Sequence, residues 1–172
     1  MEQELISKTV AVVGAGPAGC ICAKYLSDFG FDVSLFDKGV FLRTLLPTGG
    51  GKCNLANSEY DFKELAKNYP RGEKFLYSIF SQFCTQETLD FFHSISVETY
   101  TREDNRIFPL SNSAKDVREK MLKSMKCKFI KEEVLDVEEG FKLTTNKSKY
   151  FFDYVVIAIG GHAGVGVLKK WI

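Results

Sequence analysis

The strongest constraint on the fold is a short one: TVAVV at Thr9–Val13 runs directly into GAGPAG at Gly14–Gly19. A brief β-branched run of this kind suits a strand buried on both faces of a parallel sheet. The residues CICAKYLSDFG that follow read as a helix, with Ala18, Ile21, Cys22 and Tyr25 spaced to share one apolar face. Gly30 suits the position after a helix end, and Phe31–Phe36 reads as the next strand. Strand, glycine turn, helix and strand make a βαβ unit, whose connection is a right-handed crossover.

The glycine spacing carries a chemical expectation. Gly14 permits the tight turn, Gly16 lets a pyrophosphate approach the backbone, and Gly19 lets the helix pack on the sheet. The helix start offers unpaired N–H groups and a favourable dipole to phosphate. Asp37 closes the second strand, where a carboxylate accepts both ribose hydroxyls of an adenosine and repels a 2′-phosphate. An adenine dinucleotide without that phosphate is the expected ligand. A glycine-rich turn in an unrelated α/β protein is the alternative.

The middle of the chain changes character. Lys38 to Asn57 holds Pro47, the run Gly49-Gly50-Gly51, and then Lys52, Cys53 and Asn54. Three glycines in a row favour a loop built for close backbone approach over helix or strand; an ordinary surface turn is the plainer reading. Tyr60–Ser94 reads as two or three helices divided at Pro70, with Phe75, Ile79, Phe80 and Phe83 as one apolar stripe and Thr85 as a helix cap. Short strands are expected around the turn Glu103-Asp104-Asn105, and Ser113 with Asp116 has capping-box spacing before another helix. Cys127–Ile130 reads as a strand, and residues 133–152 as an antiparallel meander. YVVIAI at Tyr154–Ile159 reads as a fully buried parallel strand ending at Gly160-Gly161, and 165–172 as a further helical turn or two.

Composition narrows the classes. The 172 residues and 45% apolar content suit one domain, or one domain with a small lobe. Lys and Arg number 23 against 22 Asp and Glu, a balance that argues against a nucleic-acid clamp. Five cysteines without a C-x-x-C, and two histidines in unrelated segments, point to free thiols in a reducing compartment and to no structural zinc. No stretch reaches the roughly 20 apolar residues of a membrane span. The acidic Met1–Glu4 start is not targeting chemistry. The expectation is a soluble, cytoplasmic protein without a membrane or nucleic-acid partner.

The antiparallel meander before YVVIAIGG favours a flavoprotein over a simple NAD dehydrogenase, which more often continues with further βα units. The sequence resembles the BaiN/RdsA-like NAD(P)/FAD-dependent flavoproteins, the aminoacetone-oxidase-like group. The resemblance is carried by VVGAGPAG (12–19), LFDKG (35–39), GGGKCNLAN (49–57), NRIFPLSNSAKDV (105–117) and VVIAIGG (155–161). It implies an α/β fold: a Rossmann-like FAD-binding domain with a parallel sheet, a β-meander crossover and a small helical insertion. The chain as a whole, 1–172, would be a truncated FAD/NAD(P)-binding domain, with 58–112 a mainly helical insertion. That family is usually more than twice as long.

The resemblance also implies site residues. Gly14, Gly16, Pro17, Ala18, Gly19, Asp37 and Lys38 would hold the adenosine and pyrophosphate of FAD. Gly50, Gly51, Lys52, Cys53 and Asn54 would form a loop near the cofactor. The backbone at Val134 would border adenine, and Ala158, Gly160 and Gly161 would approach the dinucleotide at the end of the last strand. The family usually has Arg at the position of Lys52, and commonly Thr where this chain has Ala56 or Ile159. Lysine keeps the charge but loses the bidentate fork. Lys52 reads as a cation for phosphate or reduced flavin, or as a solvent-facing lysine. Cys53 reads as structural, because no second cysteine stands at short spacing. Asn54 would cap or pin its loop, and His162 would sit near the cofactor.

The expected function is an FAD-dependent oxidoreductase or its N-terminal portion, with NAD(P)H as a transient reductant and an organic acceptor or dioxygen as oxidant. No residue stands out as substrate acid or base, and the substrate is not legible. An NAD-dependent dehydrogenase and a truncated, non-catalytic nucleotide-binding or interaction protein are the alternatives. A homo-oligomer, or a missing C-terminal portion, would complete it.

Overall fold

The computed structural model describes residues 7–161. In chain order the elements are β1 (Thr9–Val13), α1 (Pro17–Asp28), β2 (Asp32–Phe36), β3 (Ala56–Asn57), α2 (Phe62–Lys67), α3 (Glu73–Phe80) and α4 (Thr85–Ser94). Then come β4 (Thr99–Thr101), β5 (Arg106–Pro109), α5 (Ala114–Lys123), β6 (Lys128–Ile130), β7 (Val134–Glu138), β8 (Lys142–Thr145), β9 (Lys149–Phe151) and β10 (Tyr154–Ile157). The chain divides into two compact units: residues up to Leu45 with those from Ser124 onward, and Leu46–Lys123 between them.

The first unit is a four-stranded parallel sheet in the order β10-β1-β2-β6. Side chains alternate across it. On one face Ala11, Val13 and Phe36 join Leu143 of the meander in a dry cluster, backed by Val137, Tyr150 and Phe152. Phe36 meets Tyr150 edge-on at 5.2 Å and Phe152 at 5.8 Å, the arrangement aromatic quadrupoles prefer. The meander β7-β8-β9 thus caps this face of the sheet. By alternation Val10 and Val12 turn to the opposite face, and α1 packs on β1 and β2.

Two expectations need correction here. The buried residues of α1 are Gly19, Cys20 and Ala23, while Ala18 is exposed and Tyr25 is 39% exposed. The rotation of the helix is fixed by the close packing of Gly19, described below, and not by its bulkiest apolar side chains. Similarly, β10 is not fully buried: Tyr154 and Ile157 are exposed, because among the described residues β10 is an edge strand paired only with β1.

Asp153 fastens this edge. One carboxylate oxygen accepts the Thr9 N–H (2.8 Å) and the Thr9 hydroxyl (2.9 Å), and the other accepts Lys8 Nζ at 3.1 Å. These donors hold the Asp153 carboxyl down to about 2, with the Thr9 N–H bond as the first cause.

The second unit contains the antiparallel sheet β3-β5-β4 with α2 to α5. Its buried side chains include Leu89, Phe91, Phe92, Val97, Ile107, Phe108, Ala114 and Val117. Pro70 lies between α2 and α3, as expected. The stripe on α3 differs: Phe75 is 72% exposed and Ile79 44%, while Leu76, Tyr77 and Phe80 are half-buried. Aromatic pairs set that face, Phe62 with Tyr77 at 6.3 Å and Tyr69 with Phe80 at 5.5 Å. The cap of α4 also shifts by one residue. Cys84 is the N-cap, its N–H held by Glu87, and the Thr85 hydroxyl instead donates to the Glu59 and Asn57 carbonyls.

Among the described residues no helix is long and apolar enough to cross a membrane.

Candidate functional site

The turn from β1 into α1 contains glycines of two physical kinds. A Cβ on Gly14 would lie 2.4 Å from the Ala158 carbonyl oxygen, and Gly14 has φ +104°. A Cβ on Gly19 would lie 1.9 Å from the Gly14 carbonyl oxygen and 3.2 Å from Ala158 Cβ. Both positions require glycine to let turn, helix and β10 touch. Gly16 is different. Its nearest neighbour would be Thr44 Oγ1 at 3.8 Å, so the space over its backbone is open.

Helix α1 begins at this open point. Gly16 is the N-cap without a side-chain cap bond, Pro17 occupies the first turn, and no acidic residue follows there. The first-turn N–H groups of Ala18 and Gly19 have no partner one turn earlier within the helix. Ala18 is exposed, so this start faces solvent. An unblocked helix start with a positive dipole end and an open glycine is suited to an anion.

Asp37 stands beside the turn and is already engaged. Oδ2 accepts the Ala15 N–H at 2.8 Å, and Oδ1 accepts the Gly39 N–H at 2.7 Å. The Ala15 carbonyl in turn accepts the Leu42 N–H at 2.7 Å and Cys20 Sγ–H at 3.5 Å. Leu42 is fully buried in a left-handed conformation, φ +56°. Nothing in its residue type signals that role. Next to Asp37, Lys38 pairs with Glu133 at 2.8 Å, a partnership that raises the lysine above its usual range.

The remaining residues of this unit lie as follows. Val134 opens β7, paired with Thr145 of β8, and its side chain packs on the sheet cluster. Ala158 extends β10 by donating its N–H to Val13 at 2.7 Å. Gly160, with φ +80°, and Gly161 have open space around them. His162 and the segment 165–172 lie outside the described residues.

The second glycine run belongs to the other unit. Gly49 and Gly50 both adopt left-handed angles, (55°, 30°) and (64°, 35°), and Gly51 has φ +86°. Here too the glycines differ. A Cβ on Gly49 would lie 2.7 Å from both the Asn54 nitrogen and a Phe108 ring carbon, while Gly50 has open space. Gly49, outside the expected set, is therefore the steric anchor of the loop. Lys52 is exposed and makes no ion pair among the described residues. Cys53 is buried with φ +65°, and burial pushes its thiol up, the opposite of an activated nucleophile. Oriented to donate, the Asn54 amide reaches the Ala56 and Ile107 carbonyls at 3.1 and 3.2 Å and pins the loop to β3 and β5.

The family model described as HI0933-like protein Rossmann domain matches residues 8–167. The chain belongs to that family. It is 27% identical over 163 residues to a ribosomal RNA dihydrouridine synthase of Haemophilus influenzae, covering 87% of this chain and 39% of that protein. It is 26% identical over 159 residues to an uncharacterized protein of Methanocaldococcus jannaschii, covering 91% and 32%. The chain thus spans well under half the length of these curated relatives. Among solved structures it is similar to THI4 of Thermovibrio ammonificans, with a TM-score of 0.54 at 14% identity, covering 95% of this chain and 62% of that one. It is also similar to the Diels-Alderase PyrE3 of pyrroindomycin biosynthesis, with a TM-score of 0.52 at 15% identity, covering 90% and 32%. These likenesses show the fold.

Proposed function

We propose that this chain is the FAD-binding portion of an oxidoreductase. The carrying observation is the open backbone at Gly16 over the uncapped start of α1, flanked by glycines that are sterically required. A side chain would fill the space that a pyrophosphate needs. The first-turn N–H groups would meet the phosphates, and the unused lone pairs of Asp37 would accept ribose hydroxyls. The backbone at Val134 would border the adenine, with Lys38 at the rim of the site. Ala158 would support the turn, and Gly160 and Gly161 would leave room for the dinucleotide.

When bound, FAD supplies two-electron chemistry, here from a reduced nicotinamide to an organic acceptor or dioxygen. The residues of this chain bind and orient it; none of them is assigned a substrate proton transfer. The remainder of a longer chain, or a second polypeptide, would complete the flavin pocket and select the acceptor. The name of the Haemophilus relative makes a uracil ring in RNA one acceptor to test with such an assembly. Five free cysteines agree with a cytoplasmic setting.

The test is reconstitution. The purified chain is mixed with FAD and desalted, and visible flavin bands should travel with the protein. Anaerobic NADH or NADPH should then bleach those bands once a completing segment or second polypeptide of the kind proposed above is supplied. A colourless protein after reconstitution would remove the cofactor assignment.

A further inference from the structure

Asp37 has both carboxylate oxygens committed to its own chain, to the Ala15 N–H at 2.8 Å and the Gly39 N–H at 2.7 Å. A residue present only to receive a ribose has no need of these bonds. Ala15 is the middle residue of the glycine turn, 1% exposed, and its carbonyl is held at 2.7 Å by Leu42 N–H. The turn is therefore gripped on both sides of one residue. Asp37 holds the N–H side. The strained, buried Leu42 holds the carbonyl side. Between Ala15 and the start of α1 stands Gly16, the open backbone position.

We propose that Asp37 is a positioning residue that sets the pyrophosphate-binding conformation of the Gly14–Gly16 turn through Ala15, independently of any ribose contact. This role presupposes the FAD-binding function proposed above for its ligand, but the hydrogen bonds that define it run within the chain itself. A charged acceptor is the suitable partner, because hydrogen bonds to an ionised carboxylate are roughly twice as strong as neutral ones. Asparagine can accept with one atom only, so Asp37→Asn must lose one of the two bonds.

The experiment has two arms. In the ligand-free protein, amide hydrogen exchange at Ala15 and Gly39 is compared between wild type and Asp37→Asn, with Val12 as a reference in the sheet. Exchange at Ala15 or Gly39 should rise at least about tenfold while Val12 is unchanged. In the second arm, inorganic pyrophosphate, which has no ribose, is titrated while the Gly16, Ala18 and Gly19 amide resonances are followed. Its affinity should fall at least about tenfold in the variant.

Unchanged exchange at both amides overturns the positioning role, whatever the ligand. Unchanged pyrophosphate affinity alongside weaker FAD binding also overturns it, and reduces Asp37 to a ribose acceptor. If neither pyrophosphate nor FAD binds the wild type, the FAD reading fails, and the exchange arm still decides the structural role. Should Asp37→Asn fail to fold, Asp37→Glu keeps the charge but shifts it by one methylene; faster Ala15 exchange is again expected, and unchanged exchange is again fatal.

Discussion

Replacing Gly19 by alanine sets two well-characterised effects against each other. Gly19 sits inside α1, where alanine is the better helix former by about 1 kcal/mol. On propensity alone Gly19→Ala stabilises. The local geometry opposes it. The new Cβ would lie 1.9 Å from the Gly14 carbonyl oxygen, whereas real Cβ contacts essentially never fall under 3.0 Å. The obstacle is backbone, and Ala158 Cβ at 3.2 Å closes another direction. Helix and turn must therefore part by roughly an ångström in a close-packed interior. Overpacking of this kind costs up to about 3 kcal/mol. Set against the propensity gain, the net loss is about 2 kcal/mol. With a denaturant slope of about 2 kcal/mol/M in urea, the unfolding midpoint should fall by about 1 M. The matched control is Gly16→Ala, where the nearest neighbour is 3.8 Å away and the backbone angles, φ −74° and ψ −179°, suit any residue. Its stability should change by under about 1 kcal/mol, the cost of alanine at an N-cap. A Gly19→Ala protein as stable as wild type, or more so, would refute the assignment of Gly19 as the contact that seats α1.

Three further outcomes are expected. Asp153, held down to about 2, contributes stability that is fully present above its unfolded pKa of about 3.9 and is lost as pH falls toward about 2. The stability gap between wild type and Asp153→Asn, measured by denaturation at several pH values, should therefore be widest near neutrality and close in acid. Burial pushes the Cys127 thiol up to about 11, so iodoacetamide at pH 8 should label Cys127 only after unfolding, as peptide mass mapping will show. Phe75→Ser, at a side chain 72% exposed, should leave the unfolding free energy within about 0.5 kcal/mol of wild type in urea denaturation.

The opening of the fold was readable because its signals are local. Strand β1, the glycine turn, α1 and β2 each announce themselves within a few residues, and their order dictates a parallel pair. The meander was readable from alternation and turn residues. What failed depended on contacts between elements. The buried side of α1 is set by the Gly19–Gly14 approach, which hydrophobicity does not report. The half-buried face of α3 is chosen by rings on either side of Pro70, so Phe75 and Ile79 point outward. At the site, the motif marks Gly14, Gly16 and Gly19 alike, yet only space around each one separates the packing glycines from the open one. The bond from Asp37 to Ala15 and the left-handed Leu42 have no sequence signature.

The most direct test of the account is equilibrium dialysis of FAD against the purified wild-type chain and Gly16→Val. Valine puts a branched side chain over the start of α1, where, its chain neighbours aside, a Cβ meets no atom nearer than Thr44 Oγ1 at 3.8 Å. The account predicts saturable FAD binding by wild type, and at least about a tenfold weaker affinity in a variant that still folds. Equal FAD affinity in the two proteins would contradict it.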